Sequence, residues 1–401
     1  MKVPAIADMD VKGKRLVVRA DLNVPMKDGR ITDATRITRF AEGMKPLLAK
    51  GARLVILTHF GRPKGKVVPA MSVEGLRPAL AEALGVDVAF CATSSGPEAE
   101  KAAKALTDGQ AVLMENVRFD AREEANDSGL AALFARLGDI YVNDAFSTAH
   151  RAHASTEAIA HLMSSAAGPL MMEEITALQD ALEAPQSPAI AIVGGAKVST
   201  KIAVLKNLVK KLDGVIIGGG MANTFLFADG APMGASLHEP DQVGTVAEIR
   251  RLAAESGCTL YLPQDAACGA EFKAGAAMSL VPADKCPEGQ MILDAGPMAV
   301  KAFQTALEGA RTILWNGPLG AFEIPPFDKA TNELAKKAAE LTRNGKAVSV
   351  AGGGDTVSAL IHAGVKDDFT YVSSAGGAFL EWLEGKTLPG IAALMRSEIA
   401  A

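Results

Sequence analysis

The sequence predicts an α/β protein of two domains, each a mostly parallel sheet that helices flank. The first observation is length, because 401 residues exceed what one ordinary hydrophobic core accommodates. The second is the alternation of strand-sized apolar runs with segments of helical periodicity, which is typical of βαβ units. The third is that this alternation restarts after a proline-bracketed stretch, Pro185–Pro188.

Composition limits the classes of partner. A hydrophobic content of 49%, 39 glycines and a net charge of −5 fit a compact enzyme and argue against general affinity for nucleic acid or anionic membrane. The apolar runs, such as Leu54–Leu57, are far short of a membrane span. The N-terminus lacks an apolar secretory segment, and the four cysteines show no CxxC spacing. We therefore expect a cytoplasmic protein with no nucleic-acid or membrane partner.

The first half opens with a strand at Arg15–Ala20 and a helix that begins near Asp33 and buries one apolar face. Further strands and helices alternate along the chain, and this order predicts a parallel sheet wrapped by helices. The predicted strands are Arg53–Leu57, Val86–Phe90, Ala111–Met114 and Asp139–Val142, and the predicted helices are Ser72–Leu84, Pro97–Leu106 and Asp127–Leu137.

Polar side chains in this half fall just after the strands, where open α/β sheets bind their ligands. A single arginine in such a loop is more often a solvated surface charge, but the recurrence of arginines at strand ends favours a site for a small, densely charged anion. We call this set the anion rim: Asp21, Asn23, Arg36, His59, Arg62, Arg118 and Arg151.

A break at Gly168-Pro169 is followed by one amphipathic helix, Met171–Leu182, and then by the proline-bracketed stretch. A helix with a stiff linker can join two domains as a hinge. We therefore predict an N-terminal domain over 1–170, a hinge over 171–187 and a C-terminal domain over 188–385.

Glycine-rich turns dominate the second half. The strand Ala189–Val193 leads into Gly194–Lys197 and a predicted helix, Val198–Leu212, that places Lys197 and Lys201 on one face. Further turns contain Gly218–Gly220, Asn316–Glu323 and Gly352–Gly354; after the last, Asp355 and Thr356 can cap a helix. Helix N-termini and free amides bind phosphate, and a carboxylate beside them can hold Mg²⁺, so these turns predict a nucleotide site with Asp355 as metal ligand.

Other phosphate-binding and catalytic frames are missing from the sequence. No GxxxxGK[ST] occurs, no GxGxxG follows the first strand of either half, and no GxSxG nucleophile elbow is present. A nicotinamide dehydrogenase would share the fold but lacks its fingerprint here. A non-catalytic nucleotide-binding protein would have no reason to retain Lys201 together with the anion rim.

Nine ordered motifs resemble the phosphoglycerate kinase family over essentially the whole chain. They are RADLNVP (19–25), THFGRPKG (58–65), ENVRF (115–119), DAFSTAHRAH (144–153), GGAKVSTKI (194–202), IIGGGMANTF (216–225), WNGPLGAFE (315–323), AGGGDT (351–356) and LPGIAAL (388–394). The resemblance implies two Rossmann-like domains, 3-phosphoglycerate on the first, ADP or ATP with Mg²⁺ on the second, a monomer, and residues 386–401 folding back onto the first domain.

The family's roles transfer position by position. The resemblance implies that the anion rim, with Phe60 and Gly61, binds phosphoglycerate. It implies a nucleotide site at Gly195, Lys197, Lys201, Gly219, Pro318, Glu323, Gly353, Gly354, Asp355 and Thr356. Our hypothesis for the transfer itself gives catalytic roles to Arg36, Lys201, Gly354 and Gly377. Ser147, Phe60, Ala375 and Phe379 depart from the family's usual residues; we expect the first two to change affinity at most.

Overall fold

The computed structural model describes residues 2–396, and the chain divides into two compact units. Within the described residues, the first unit is 2–175 together with 387–396, and the second is Thr176–Lys386. The final segment of the predicted fold-back, residues 397–401, lies outside the described residues.

In the described part of the first unit, six strands form one parallel sheet in the order β5-β6-β4-β1-β7-β8, and β2 and β3 form a separate hairpin. The strands are β1 Arg15–Ala20, β2 Met26–Lys27, β3 Arg30–Ile31, β4 Arg53–Leu57, β5 Val88–Cys91, β6 Ala111–Met114, β7 Ile140–Asp144 and β8 Ser165–Ala167. The helices are α1 Thr35–Ala49, α2 Arg77–Leu84, α3 Pro97–Lys104, α4 Ala121–Glu124 and α5 Ser128–Ala135.

The central strand β1 shows how the sequence builds this sheet. Its side chains alternate between two covered faces, so that Leu16 and Val18 join the core beneath α1, where Phe40 and Met44 pack. Arg19 lies on the opposite face and is fully buried. A continuous apolar run is what a strand buried on both faces requires, and the buried arginine is the exception.

Helix α6, Pro169–Leu178, crosses from the first unit to the second and continues as a π-helical turn, Gln179–Glu183. The predicted single helix Met171–Leu182 therefore starts two residues late and misses the change of helical geometry at Gln179. Near the end of the described chain, α14 (Pro389–Arg396) packs on the first unit, where the Gly390 amide donates to the Ala149 carbonyl over 2.9 Å.

The described part of the second unit contains a six-stranded parallel sheet in the order β11-β10-β9-β15-β16-β17 and a three-stranded antiparallel sheet, β13-β12-β14. The strands are β9 Ala189–Val193, β10 Gly214–Ile217, β11 Thr259–Tyr261, β12 Asp265–Gly269, β13 Met278–Pro282, β14 Met291–Ala295, β15 Thr312–Asn316, β16 Val348–Gly352 and β17 Tyr371–Ser373. The helices are α7 Ile202–Lys211, α8 Gly219–Ala228, α9 Val243–Ser256, α10 Pro297–Glu308, α11 Lys329–Arg343, α12 Gly354–His362 and α13 Gly376–Leu383.

The predicted fold class is confirmed, with two large parallel sheets flanked by helices. The predicted helix Val198–Leu212 is corrected: Val198–Thr200 forms a 3₁₀ turn and α7 begins at Ile202, so Lys197 and Lys201 precede the helix rather than share its face. The antiparallel sheet was not predicted. Across residues 2–396, no helix combines the length and apolar character needed to cross a membrane.

Candidate active site

The anion rim is organised around Asp21, which follows β1. Arg36, in the first turn of α1, donates from Nη1 to Asp21 Oδ2 over 2.7 Å and to the Asn23 carbonyl over 3.1 Å. The Asn23 amide donates to Asp21 Oδ1 over 3.1 Å, and Ser147 also hydrogen-bonds Asp21 Oδ2. These bonds join the loop after β1, the first turn of α1 and the loop after β7, and they fix the Arg36 guanidinium at the carboxyl end of the sheet.

The loop after β4 is held from both sides. The Gly61 amide donates to Asn23 Oδ1 over 3.1 Å, and Arg118 Nη1 donates to the Gly61 carbonyl over 2.9 Å. Asn116, which follows β6, donates to the Phe60 carbonyl over 2.8 Å. Sequence reasoning assigned no role to Asn116, because its contribution is a contact with a loop 56 residues away.

Electrostatics in this region favour an anion. Burial lowers the pKa of His59 well below its usual range, and Arg19, Arg118, Arg151 and Arg36 lower it further, so this imidazole is neutral. Burial and then the charge of Arg19 lower the pKa of Arg118 to about 10, which leaves it charged at neutral pH. Burial removes water from these positive charges, and their mutual repulsion is unfavourable. A ligand with several negative charges would offset both effects.

The two remaining rim arginines are less constrained. Arg151 Nε donates to His150 Nε2 over 3.2 Å, and Arg62 is exposed in the loop after β4. The structure thus brings Asp21, Asn23 and Arg36 into one hydrogen-bonded group, links Gly61 and Arg118 to it, and leaves Arg62 at the surface.

Four glycine turns of the second unit touch one another at the carboxyl end of its sheet. A Cβ on Gly194 would lie 1.8 Å from the Pro318 carbonyl oxygen, and one on Gly219 would lie 2.6 Å from the Gly195 carbonyl oxygen. Gly219 also has a φ of +67°. A Cβ on Gly353, whose φ is +100°, would lie 2.8 Å from Asn316 Nδ2. Only glycine permits this packing of backbone against backbone.

Lys201 lies where two of these turns meet. Its ammonium donates to the Gly194 carbonyl over 2.7 Å and to the Asn316 carbonyl over 2.9 Å. Burial lowers the pKa of Lys201 to about 8, and the carboxylate of Asp355 opposes that shift. Because Lys201 is charged below that pH and held by two neutral carbonyls, an incoming phosphate would be its ionic partner. Lys197, by contrast, is exposed.

Helices α12 and α13 begin side by side. The Cβ position of Gly376 lies 4.0 Å from the Gly354 amide nitrogen, so the first turns that contain Gly354 and Gly377 are adjacent. Asp355 is exposed in the first turn of α12, whereas Thr356 is buried and accepts a 2.8 Å hydrogen bond from the Gly317 amide at Oγ1. Two neighbouring helix N-termini concentrate free amides and positive dipole ends, which suits charge on a phosphoryl group.

A cavity of about 260 Å³ opens next to these turns. Four of the ten predicted nucleotide residues line it, namely Gly195, Gly219, Pro318 and Asp355. The other six are not part of its lining: Lys197, Lys201, Glu323, Gly353, Gly354 and Thr356. Its apolar side was not predicted and includes Leu237, Phe272, Ile292 and Leu293. An apolar wall with polar groups at one end is typical of sites for a flat ring that carries phosphates.

The residues that depart from the family pattern have structural partners. The Phe379 ring covers Gly352, where a Cβ would approach the ring to 2.7 Å, and Ala375 is buried just before α13. Phe60 packs against the core of the first unit. None of these departures removes a charged side chain from the anion rim.

The fold and these two sites define a class, a two-domain α/β phosphotransferase. The family model described as phosphoglycerate kinase matches residues 6–386. Similar curated proteins include phosphoglycerate kinases of Ruegeria sp. (strain TM1040), 58% identical over 96% of this chain and 98% of that protein, and of Jannaschia sp. (strain CCS1), 56% identical over 98% of each. The chain belongs to the phosphoglycerate kinase family, as its motifs predicted.

Solved structures agree. Phosphoglycerate kinase from Coxiella burnetii superposes with a TM-score of 0.92 at 41% identity, covering 98% of this chain and 99% of the other. The enzyme from Pyrococcus horikoshii OT3 gives 0.78 at 29% identity, covering 99% and 100%. The chain is therefore a phosphotransferase with the glycolytic function of this family.

Proposed function

We propose that this chain transfers a phosphoryl group reversibly between 1,3-bisphosphoglycerate and MgADP, giving 3-phosphoglycerate and MgATP. The observation that carries the proposal is the division of binding chemistry, with cationic side chains on the first unit and glycine amides beside a half-buried lysine, Lys201, on the second. An acid with two anionic groups, a carboxylate and a phosphate, and a magnesium nucleotide are the ligands that these two chemistries suit.

Phosphoglycerate binds at the anion rim together with the Phe60-Gly61 loop. The arginines neutralise its phosphate and carboxylate, and His59 donates a hydrogen bond from a neutral ring. The bonds among Asp21, Asn23 and Arg36 hold these groups in place before the ligand arrives, so less conformational freedom is lost on binding.

The nucleotide binds in the glycine-lined cavity. Its base lies against the apolar side chains, Glu323 accepts a hydrogen bond from the ribose, and Lys197 with the turn at Gly353–Thr356 holds the phosphates. Glu323 and Lys197 are both exposed, so a ligand can reach them.

Magnesium enters as part of the nucleotide substrate. Asp355 fits this role because its carboxylate is exposed in the first turn of a helix whose amides hold the phosphates. Mg²⁺ takes one or two carboxylates and fills its remaining positions with phosphate oxygens and water, so a single aspartate suffices.

Phosphoryl transfer passes through a loose transition state with charge spread over three equatorial oxygens, so the protein aligns the groups and neutralises charge. Arg36 and Lys201 hold the transferring phosphoryl, and the Gly354 and Gly377 amides stabilise developing charge. The attacking groups are already ionised, hence no general base is required. The transfer is in line, which means that the attacking oxygen and the leaving oxygen lie on opposite sides of the phosphorus.

Water competes with the acceptor for the phosphoryl group, so we propose that the two units close over both substrates about the hinge at residues 171–187. We propose that the chain is a monomer. Its radius of gyration, measured by small-angle scattering, should be smaller with both substrates bound than with neither. Unchanged profiles would contradict closure. The four free, buried thiols support a reducing cytoplasm as its compartment.

The direct test is a coupled assay for ADP release that depends on both ATP and 3-phosphoglycerate. We expect turnover only with both substrates and Mg²⁺, and loss of turnover with EDTA. ATP hydrolysis that is indifferent to 3-phosphoglycerate would overturn the proposal.

A further inference from the structure

A chain of buried polar groups lies behind the anion rim in the first unit. Arg19 is fully buried at the end of the central strand β1. Its Nη2 contacts His59 Nδ1 at 3.1 Å, its Nε donates to Ser155 Oγ over 2.8 Å, and its Nη1 donates to the Ala20 carbonyl. The buried guanidinium of Arg19 therefore contacts the ring of His59, which is a residue of the anion rim.

The contact with Arg19 determines the tautomer of His59. Arginine has five N–H donors and no acceptor, so Nδ1 of His59 must accept and carries no hydrogen. The ring is neutral, and its single hydrogen must therefore be on Nε2. A neutral histidine in this tautomer donates only from Nε2.

Glu123 and Ser155 hold Arg19 in this position. The Ser155 hydroxyl donates to Glu123 Oε1 over 2.6 Å while it accepts from Arg19, and the Ser155 amide donates to Glu123 Oε2 over 3.0 Å. Both carboxylate oxygens accept hydrogen bonds from Ser155. Glu123 is fully buried on α4, and burial raises its pKa, but the charge of Arg19 and the two hydrogen bonds from Ser155 oppose that shift and favour the ionised carboxylate.

We propose that Glu123, Ser155 and Arg19 are positioning residues that hold His59 as the Nε2–H tautomer, so that it donates to the phosphoglycerate anion. This inference rests on the proposed substrate site. None of the three contributes through contact with the ligand; each acts through the next, and the order is Glu123 to Ser155 to Arg19 to His59.

The charges that face His59 explain why one tautomer must be fixed. Arg19, Arg118, Arg151 and Arg36 surround the ring and disfavour its protonation. A neutral imidazole can present either a donor or an acceptor, and an acceptor towards an anion would repel it. Holding Nδ1 as the acceptor removes that alternative.

The first test reads the tautomer in the parent protein by ¹⁵N NMR of selectively labelled histidine, with the His59 signals assigned by their loss in His59→Gln. We expect an unprotonated Nδ1 and a protonated Nε2 between about pH 6 and about pH 8. A hydrogen on Nδ1, or a charged ring in this range, would overturn the proposal. This measurement does not depend on activity, so it separates failure of this proposal from failure of the proposed function.

The second test compares Glu123→Gln and Ser155→Ala with a matched surface control, Glu100→Gln, which pairs with Lys104. In both test variants we expect a mixture of His59 tautomers and roughly a tenfold rise in KM for 3-phosphoglycerate, the effect of one lost charge-assisted hydrogen bond, with an unchanged KM for ATP. If Glu123→Gln does not fold, Ser155→Ala provides the result, because it removes the bridge and keeps the charge. Parental tautomer and KM in a folded variant would refute the relay.

Discussion

The two candidate sites differ in the chemistry that they present to a ligand. On the first unit, charged side chains such as Arg36 and Arg118 are fixed by hydrogen bonds to neighbouring loops. On the second, backbone meets backbone, and glycines such as Gly194 and Gly219 leave no room for a side chain. A small anion needs charge in fixed positions, whereas a flat nucleotide needs space and amides.

This difference implies different responses to mutation. Removing one arginine from the anion rim leaves several others, so affinity should fall gradually. Adding one methyl group to a glycine turn moves a backbone segment that other turns contact, and the effect should spread. Lys201 lies among the glycine turns and is also a positively charged side chain. We therefore expect its loss to lower the activity more than the other proposed substitutions.

The largest expected effect is that of Lys201→Ala. By analogy with an arginine finger, kcat should fall on the order of 10³-fold or more, because the transferring phosphoryl loses its positive partner. Steady-state kinetics measure this change, and a kcat within about threefold of the parent would exclude the role. Because the pKa of Lys201 is about 8, the ammonium is charged below that pH and neutral above it, so kcat/KM should fall at higher pH. Lys201→Arg should remove that fall.

Gly219→Ala should have the next largest effect. Alanine at a φ of +67° costs about 1–2 kcal/mol, and its Cβ would collide with the Gly195 carbonyl. We expect roughly a tenfold rise in KM for ATP with a lower Tm. Gly244→Ala in α9 is the control, since its Cβ has nothing within 4 Å, and its stability should change by no more than about 1 kcal/mol. Equal behaviour of the two variants would remove the steric argument.

Arg62→Ala tests the gradual response of the anion rim. One charge-assisted contact is lost among several, so KM for 3-phosphoglycerate should rise roughly tenfold while kcat changes little. Arg77→Ala, an exposed arginine at the start of α2, should leave KM unchanged. An unchanged KM in Arg62→Ala would remove Arg62 from the site.

The smallest effect concerns stability alone. Burial raises the pKa of Asp144 to about 7, although the Leu170 and Met171 amides, which donate to Oδ1, oppose the shift. A carboxyl with a raised pKa in the folded state contributes stability that is complete below its unfolded pKa of about 4 and declines as pH rises towards 7. Asparagine at position 144 keeps the acceptor oxygen but cannot ionise. The Tm of Asp144→Asn should therefore rise by a few degrees relative to the Tm of the parent as pH increases from about 4 to about 7.

Thermal unfolding of both proteins across this pH range measures the difference. Asp108→Asn, an exposed carboxylate paired with Arg53, is the control and should track the parent. A constant Tm difference between Asp144→Asn and the parent would show that Asp144 does not titrate in this window.

The sequence by itself determined the fold class and the residues at strand ends. The run Arg15–Ala20 followed by Asp21, and Val348–Gly352 followed by Asp355, are local patterns, and local periodicity encodes elements and their order. It could not decide where α7 begins, because the pattern did not separate the 3₁₀ turn at Val198–Thr200 from the helix.

Only the tertiary structure decided which distant residues meet. Lys201 bonds the Asn316 carbonyl 115 residues away because β9 and β15 are neighbours in the sheet, and strand order has no local signature. Phe272 and Leu293 line the same cavity as Gly195 and Pro318, although they are far from those turns in the sequence. The buried hydrogen bond from Arg19 to Ser155 joins residues 136 apart in the sequence, and nothing in the local pattern of β1 predicted that Arg19 would also contact His59.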